Sequence, residues 1–366
     1  MRLVLMLIGA SLYTAFGQTT LPTPTGPHAV GRLMVVWSDQ TRTEDAGPAA
    51  GKAREVAAYV FYPAKPTGGS RVEYYPGLTG LENAPETRFL RQQFGGVWNA
   101  VTTGTIRTNA FEAPPMALNP TRFPVLIFSP GLLAPVLAYQ LQLEELASHG
   151  YVVFGLEHGT DSALIVRPDH TLLPYVSRPQ PDQGPPTVAG LEANRDQVIR
   201  RTADVVFAMN QIERIAKQPG SVFPSAHNAF AVRLFRNRLD LSRIGVFGHS
   251  EGGKAAIRTW QIDSRVRACL NQDGEMFGIP FGSSDPIPSL VPGKPIHAPV
   301  AVLYVAEPGI PDAQLAAARV TRQQYEDWRA AKNRALRNFL QRGSRNSLLV
   351  TIMAPGYVHA SVVSNK

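Results

Sequence analysis

Arg243-Ile244-Gly245-Val246-Phe247-Gly248-His249-Ser250-Glu251-Gly252-Gly253-Lys254-Ala255-Ala256 is the stretch on which the reading of this chain turns. A short apolar run ends in Gly-x-Ser-x-Gly, and small residues then open a helical segment. A serine on a tight strand-to-helix turn has a strained backbone, and its hydroxyl projects above the sheet edge. Bulky side chains two residues before or after it would collide, which accounts for Gly248 and Gly252. Gly253, Ala255 and Ala256 let the helix lie close on the sheet. Ser250 is therefore the candidate nucleophile. Gly-x-Ser-x-Gly alone is a weak signal, and the surrounding strand-turn-helix pattern is what gives it weight.

Outward from this turn, short apolar runs recur at Arg32–Trp37, Glu55–Tyr62, Pro124–Phe128, Tyr151–Leu156, Ile244–Phe247, Val266–Leu270, Val300–Val305 and Leu348–Ile352. Several are near-continuous, as in strands buried on both faces. Helical spacing fills Leu137–His149, Ala193–Lys217, Gly252–Ile262 and Ala313–Gln341. The alternation predicts an α/β fold with a mostly parallel sheet of about eight strands and helices on both faces. Residues 73–122 and 161–191 break the alternation and read as insertions of the lid or pocket-wall kind. One domain over 18–366 with these two insertions fits better than two domains.

Composition sets the limits. The chain has 366 residues, 44% hydrophobic and 17% charged, which excludes a disordered chain. The net charge of +8 is spread thinly, with no run of five basic residues, so nucleic acid is not an expected partner. A single cysteine, Cys269, excludes an internal disulfide framework and a cysteine-built metal site, and it reads as an inert core residue. Arg2, the uncharged run Leu3–Phe16, and small residues at Ala15 and Gly17 read as a signal peptide over 1–17, so a secreted or periplasmic location is expected. The helix carrying basic residues from Arg319 to Arg345 reads as a solvated face. No helix shows the apolar-plus-basic split of an interfacial anchor, so lipid-surface contact has little behind it.

A serine hydroxyl needs a histidine to take its proton and a carboxylate to orient that histidine. On this kind of sheet the chain order is Ser, acid, His. Of the histidines after Ser250, His297 precedes a strand. His359 follows the last one, at the end where ligand sites of parallel sheets gather, and is the expected base. Asp273 follows the strand after the nucleophile helix, whereas Glu307 and Asp312 follow the next, and position alone divides the acid among them. An oxyanion needs two donors. One is the N–H of Glu251. The other comes from Ser129-Pro130-Gly131-Leu132, where Pro130 has no N–H, leaving Gly131 or Leu132. His158 and Asp161, just past the fourth strand, are candidate pocket residues. His249 is expected to pack beneath the turn.

Several segments together resemble the secreted platelet-activating-factor acetylhydrolase family, the lipoprotein-associated phospholipase A2 branch of the α/β-hydrolases. They are Phe128-Ser129-Pro130-Gly131-Leu132, Leu146–Val153 running on to Glu157-His158-Gly159-Thr160-Asp161-Ser162-Ala163, Gly248–Ala255, Leu270-Asn271-Gln272-Asp273 and Gly356-Tyr357-Val358-His359, with Tyr59–Pro63 upstream. The resemblance implies Ser250 as nucleophile, Asp273 as acid, His359 as base, the N–H groups of Leu132 and Glu251 as oxyanion donors, and no metal or cofactor. The expected substrate is a small-molecule or lipid-like ester, and the family's lipid substrate itself is not carried over. Pro130 stands where the family has a histidine. Glu251 stands where an apolar residue is usual, and it is expected to disfavour anionic acyl groups. Only seven residues follow His359, without the family's usual aromatic and acidic ones. The rival readings are a polyester or cutin-type hydrolase, a peptidase on the same fold, and an inactive binding module.

Overall fold

The computed structural model describes residues 19–66, 68–177, 188–217, 226–275, 298–305, 311–317, 319–341 and 347–352. Its strands are β1 (Thr19–Thr20), β2 (Ala29–Thr43), β3 (Ala53–Ala64), β4 (Arg71–Glu73), β5 (Ile106–Glu112), β6 (Phe123–Ser129), β7 (Val152–Glu157), β8 (Leu164–Val166), β9 (Leu172–Pro174), β10 (Leu239–His249), β11 (Val266–Gln272), β12 (Val300–Val305) and β13 (Leu348–Ile352). The main sheet runs β1-β5-β2-β3-β7-β6-β10-β11-β12-β13, with β4 on the outer flank of β5. From β7 to β13 every neighbour is parallel, while β3 is antiparallel to both β2 and β7. All eight apolar runs are strands of this sheet. They form its unbroken series from β2 to β13.

Period-two alternation sends neighbouring side chains into two separate apolar layers. Val125, Ile127, Ile244 and Val246 enter one layer, with Val205, Met209 and Ile212 of α4 (Val188–Lys217), Phe235 of α5 (Ala226–Phe235), Trp260 of α6 (Glu251–Ile262) and Phe339 of α8 (Arg322–Gln341). Phe128, Val153 and Phe247 enter the other, with Leu90 of α1 (Arg88–Phe94), Trp98 of α2 (Trp98–Thr102) and Leu143 of α3 (Gln140–Ser148). Both faces are thus covered, which is why the inner strands carry few polar residues. Cys269 is buried within β11, and burial pushes its thiol well up from its ordinary value.

Two features depart from the sequence reading. The stretch 73–122 is built into the fold, since β5 pairs in parallel with β2 and α1 and α2 join an apolar layer. Thr108 and Asn109 are buried there beside Ile106 and Ala110, so the strand has no apolar run to announce it. The stretch Ala313–Gln341 is two helices, α7 (Asp312–Ala317) and α8. Thr321 and Gln324 close the start of α8 as a capping box: the Thr321 N–H donates to Gln324 Oε1 at 2.9 Å, and the Gln324 N–H donates to Thr321 Oγ1 at 3.2 Å. On α8, Arg322 and Arg329 pair with Glu326, and Lys332 pairs with Glu275. Among the described residues no helix is long and apolar enough to cross a membrane.

Candidate active site

Three parallel strands end level with one another. Gly248 lies opposite Ser129 of β6 and Asn271 of β11, and His249 lies opposite Gln272. Immediately beyond these ends, three residues other than glycine take positive φ: Leu133 (59°), Ser250 (52°, with ψ −119°) and Asp273 (56°). Such conformations cost of order 1–3 kcal/mol each and persist only where the surroundings dictate them. Their convergence at one sheet edge makes this edge the candidate site.

Ser250 sits between β10 and α6. Its N–H donates to the Gln272 carbonyl at 2.9 Å, and its own carbonyl accepts from the Lys254 N–H at 3.2 Å. The flanking glycines are required by close approach. A Cβ on Gly252 would overlap the Ser129 carbonyl, and one on Gly248 would overlap the Gly252 carbonyl. The end of β6 therefore presses directly on the first turn of α6.

The loop after β6 is held residue by residue. Ser129 Oγ bonds His158 Nε2 at 2.8 Å, the Pro130 carbonyl accepts from Arg201 Nη1 at 2.7 Å, and the Gly131 N–H donates to Tyr139 Oη at 3.0 Å. Burial pushes the Tyr139 phenol up, so it stays neutral and has one proton to give. Tyr139 Oη also shares a hydrogen bond with His249 Nδ1, 2.8 Å away, which packs His249 beneath the turn. With the Gly131 N–H committed to Tyr139, Leu132 is the next N–H along the loop. A Cβ on Gly131 would lie 3.6 Å from Ser250 Cβ, so loop and serine are adjacent.

Asp273 is placed directly after β11, where its N–H donates to the Leu303 carbonyl at 2.7 Å. Asp312 lies at the start of α7, exposed, and its carboxylate pairs with Arg322. Glu307, His297 and His359 lie outside the described residues. Glu251 turns its carboxylate away along the helix, where it accepts from Lys254 Nζ at 2.9 Å and from Asn194 Nδ2 at 3.0 Å. Its charge is compensated there, which removes the reason to expect it to repel anionic acyl groups.

The structure places His158 and Asp161 in the interior behind the sheet end. Both are fully buried, and they belong to a cluster around Arg54. Arg54 bonds Asp204 at 2.7 and 2.8 Å, Asp161 at 2.9 Å, Glu44 at 3.0 Å and the His158 carbonyl at 3.0 Å. His158 Nδ1 lies 3.0 Å from Asp204 Oδ2. The sequence reading passed over Arg54, Tyr139, Arg201 and Asp204. A signal for two of them was present, because Arg201 and Asp204 sit at helical spacing in line with Ala208 and Ile212, and charges on an apolar stripe need partners. Among the described residues no group of three or more His, Cys, Asp or Glu is arranged to hold a metal ion.

Two adjacent buried groups titrate in opposite senses. Burial pushes Glu157, which accepts the Val136 N–H at 2.8 Å, up from 4.5 to about 7. Burial and the Arg201 charge push His158 down from 6.5 to about 4. The Glu157 contribution to stability is complete below pH 4.5 and is lost as pH rises through about 7; the His158 contribution is complete above pH 6.5 and is lost as pH falls through about 4. Ionising Glu157 in the folded protein costs about 3 kcal/mol more than in water. Glu157→Gln, which keeps an acceptor for Val136, is therefore expected to be more stable than the parent at pH 8 by up to about that amount, and not at pH 4.5. Urea titration at the two pH values checks this, and a gain equal at both would mean that the carboxyl does not titrate as argued.

A sheet of this order with a strained serine between a strand and a helix is the α/β-hydrolase arrangement. The fold matches that of a ferulic acid esterase from Streptomyces cinnamoneus with a TM-score of 0.62, at 21% identity over 94% of this chain and 78% of that one. The family model described as platelet-activating factor acetylhydrolase, isoform II, matches residues 13–286, and the chain belongs to that family. It is 26% identical over 284 residues to a platelet-activating factor acetylhydrolase of Cavia porcellus, covering 73% of this chain and 58% of the relative. It is 25% identical over 288 residues to an Arthroderma benhamiae protein named "Probable 1-alkyl-2-acetylglycerophosphocholine esterase", covering 75% of this chain and 63% of the relative. The chain thus spans about three fifths of the length of these two relatives.

Proposed function

We propose that this protein is a serine hydrolase that cleaves carboxylic esters through an acyl-enzyme. Ser250 attacks the ester carbonyl, His359 takes its proton and then passes it to the leaving alcohol, and Asp273 orients the imidazole. The N–H groups of Leu132 and Glu251 receive the oxyanion of the tetrahedral intermediate. Water activated by His359 then releases the acid and restores Ser250. The observation that carries this reading is Ser250 itself, held at positive φ between β10 and α6 with the β6 loop against it. The relatives' names point to short-acyl, acetyl-type esters as the substrate class, and lipid-like esters are the first to test. Residues 1–17 are taken as a signal peptide for export, and residues 18–366 as one domain.

A fluorophosphonate probe is expected to label the pure protein at Ser250, and absence of labelling would favour a binding module that has kept the fold. The acid is tested separately. Asp273→Asn is expected to lower kcat for a p-nitrophenyl ester by roughly 10⁴-fold, since the imidazole loses its orienting carboxylate and takes the wrong tautomer. Glu307→Gln is expected to stay near the parent. The reverse ranking would move the acid to Glu307.

A further inference from the structure

We propose that Ser129, His158 and Asp204 form a buried positioning relay that sets the loop Ser129–Leu132 at the distance from Ser250 that oxyanion capture requires. The inference rests on the hydrolase reading above and deepens it. The three side chains stand in serine-histidine-aspartate order, with 2.8 Å from Ser129 Oγ to His158 Nε2 and 3.0 Å from His158 Nδ1 to Asp204 Oδ2. Those are distances a catalytic triad would show, yet the residues are exposed by only 1%, 0% and 0%. Sealed from solvent and substrate, the set cannot attack an ester. Its role must act through what it holds.

The direction of the bonds is fixed by charge. Burial raises the Asp204 carboxyl, but the Arg54 guanidinium and the hydrogen bonds from Arg54 and His158 outweigh this and hold it well below the usual carboxylate range. Asp204 is thus an acceptor and takes the Nδ1 proton of a neutral His158. Nε2 is then left as an acceptor for the Ser129 hydroxyl proton. Ser129 is the last residue of β6, and its carbonyl lies in the space that Gly252 leaves at the start of α6. One residue therefore faces the relay with its side chain and the nucleophile turn with its backbone. The next two are held as well, Pro130 by Arg201 and Gly131 by Tyr139. Three successive residues are fixed just before Leu132, whose N–H is the proposed donor, so an error in the placing of Ser129 is passed straight to that N–H.

The test is Ser129→Ala, measured against Thr202→Ala. Thr202 is a buried threonine of α4 whose hydroxyl donates to the Val198 carbonyl at 2.7 Å, and it serves as a control for general loss of stability. Three quantities are read: kcat and KM for a p-nitrophenyl ester, and the inhibition constant of an alkyl trifluoromethyl ketone, whose adduct with Ser250 carries an oxyanion. Ser129→Ala is expected to lose about 10- to 100-fold in kcat and to weaken the ketone by the same factor, with KM within twofold. Thr202→Ala is expected to keep all three. A Ser129→Ala enzyme that matches Thr202→Ala, or that changes only in KM, overturns the relay while leaving the Ser250 reading in place. A parent protein that neither turns over the ester nor binds the ketone overturns the hydrolase reading beneath it.

Discussion

Ser250→Ala is expected to lower kcat for p-nitrophenyl acetate by roughly 10⁴- to 10⁶-fold while leaving the melting temperature unchanged or raised. The size follows from the chemistry. On the proposed mechanism, without the hydroxyl there is no acyl-enzyme, and water must attack the ester directly. Removing the serine of a Ser-His-Asp unit costs on the order of 10⁶ in kcat, and what remains over water comes from the oxyanion donors and binding. The effect on stability is expected to run the other way, because Ser250 occupies a backbone region in which a side chain is strained. Ser250→Gly sharpens the point. It should be equally inactive and should melt higher than the parent, because glycine adopts φ 52° without a Cβ penalty. Purified Ser250→Ala protein that still hydrolysed the ester at a tenth of the parent rate would place the nucleophile elsewhere.

What the sequence could disclose depended on where each residue's constraint comes from. The eight runs from Arg32–Trp37 to Leu348–Ile352 were legible because strands covered on both faces need apolar residues almost throughout. β5 was not, since its buried Thr108 and Asn109 are satisfied by contacts to distant segments: Thr108 Oγ1 donates to the Val72 carbonyl, and Asn109 Nδ2 donates to the Pro22 carbonyl and Glu144. The break before α8 was written in Thr321-Arg322-Gln323-Gln324 as a capping box, but the apolar spacing carried across it. The serine turn was legible because its pattern is contiguous in the chain, even though the backbone that Gly252 makes room for is that of Ser129 on β6. The support beneath it was not. Glu44, Arg54, Ser129, His158, Asp161, Arg201 and Asp204 come from five separate stretches, and no spacing rule connects them. His158 and Asp161 were noticed for their place after a strand, where pocket residues gather, but their contacts to Arg54 and Asp204 could not be read from that place.

Arg54→Met is expected to be the most destabilising single change in this cluster, by about 3–5 kcal/mol, because it removes the shared cation from buried carboxylates. Arg54 is 3% exposed and pairs with Asp204, Asp161 and Glu44, which are themselves 0–1% exposed. Arg42 still reaches Asp204 at 2.8 Å and Arg200 lies 3.6 Å from Asp161, so the loss is only partly covered. A pH titration separates this cause from mere loss of packing. In the parent, Asp204 is held below its ordinary value of 3.8, so its contribution is complete above that pH and constant from pH 5 to 8. In Arg54→Met, burial acts on the Asp204 carboxyl without its main counter-charge and is expected to raise it above its unfolded value. The stability of the variant should then fall as pH rises and recover towards pH 5. Urea denaturation of both proteins at pH 5 and pH 8 reads this directly. A deficit equal at both values would mean that Arg54 contributes through its methylene stem and not through its charge. A deficit that narrows at pH 5 would locate the cost in the carboxylates. One of those carboxylates, Asp204, bonds His158 Nδ1, and His158 in turn bonds Ser129 in the loop beside Ser250.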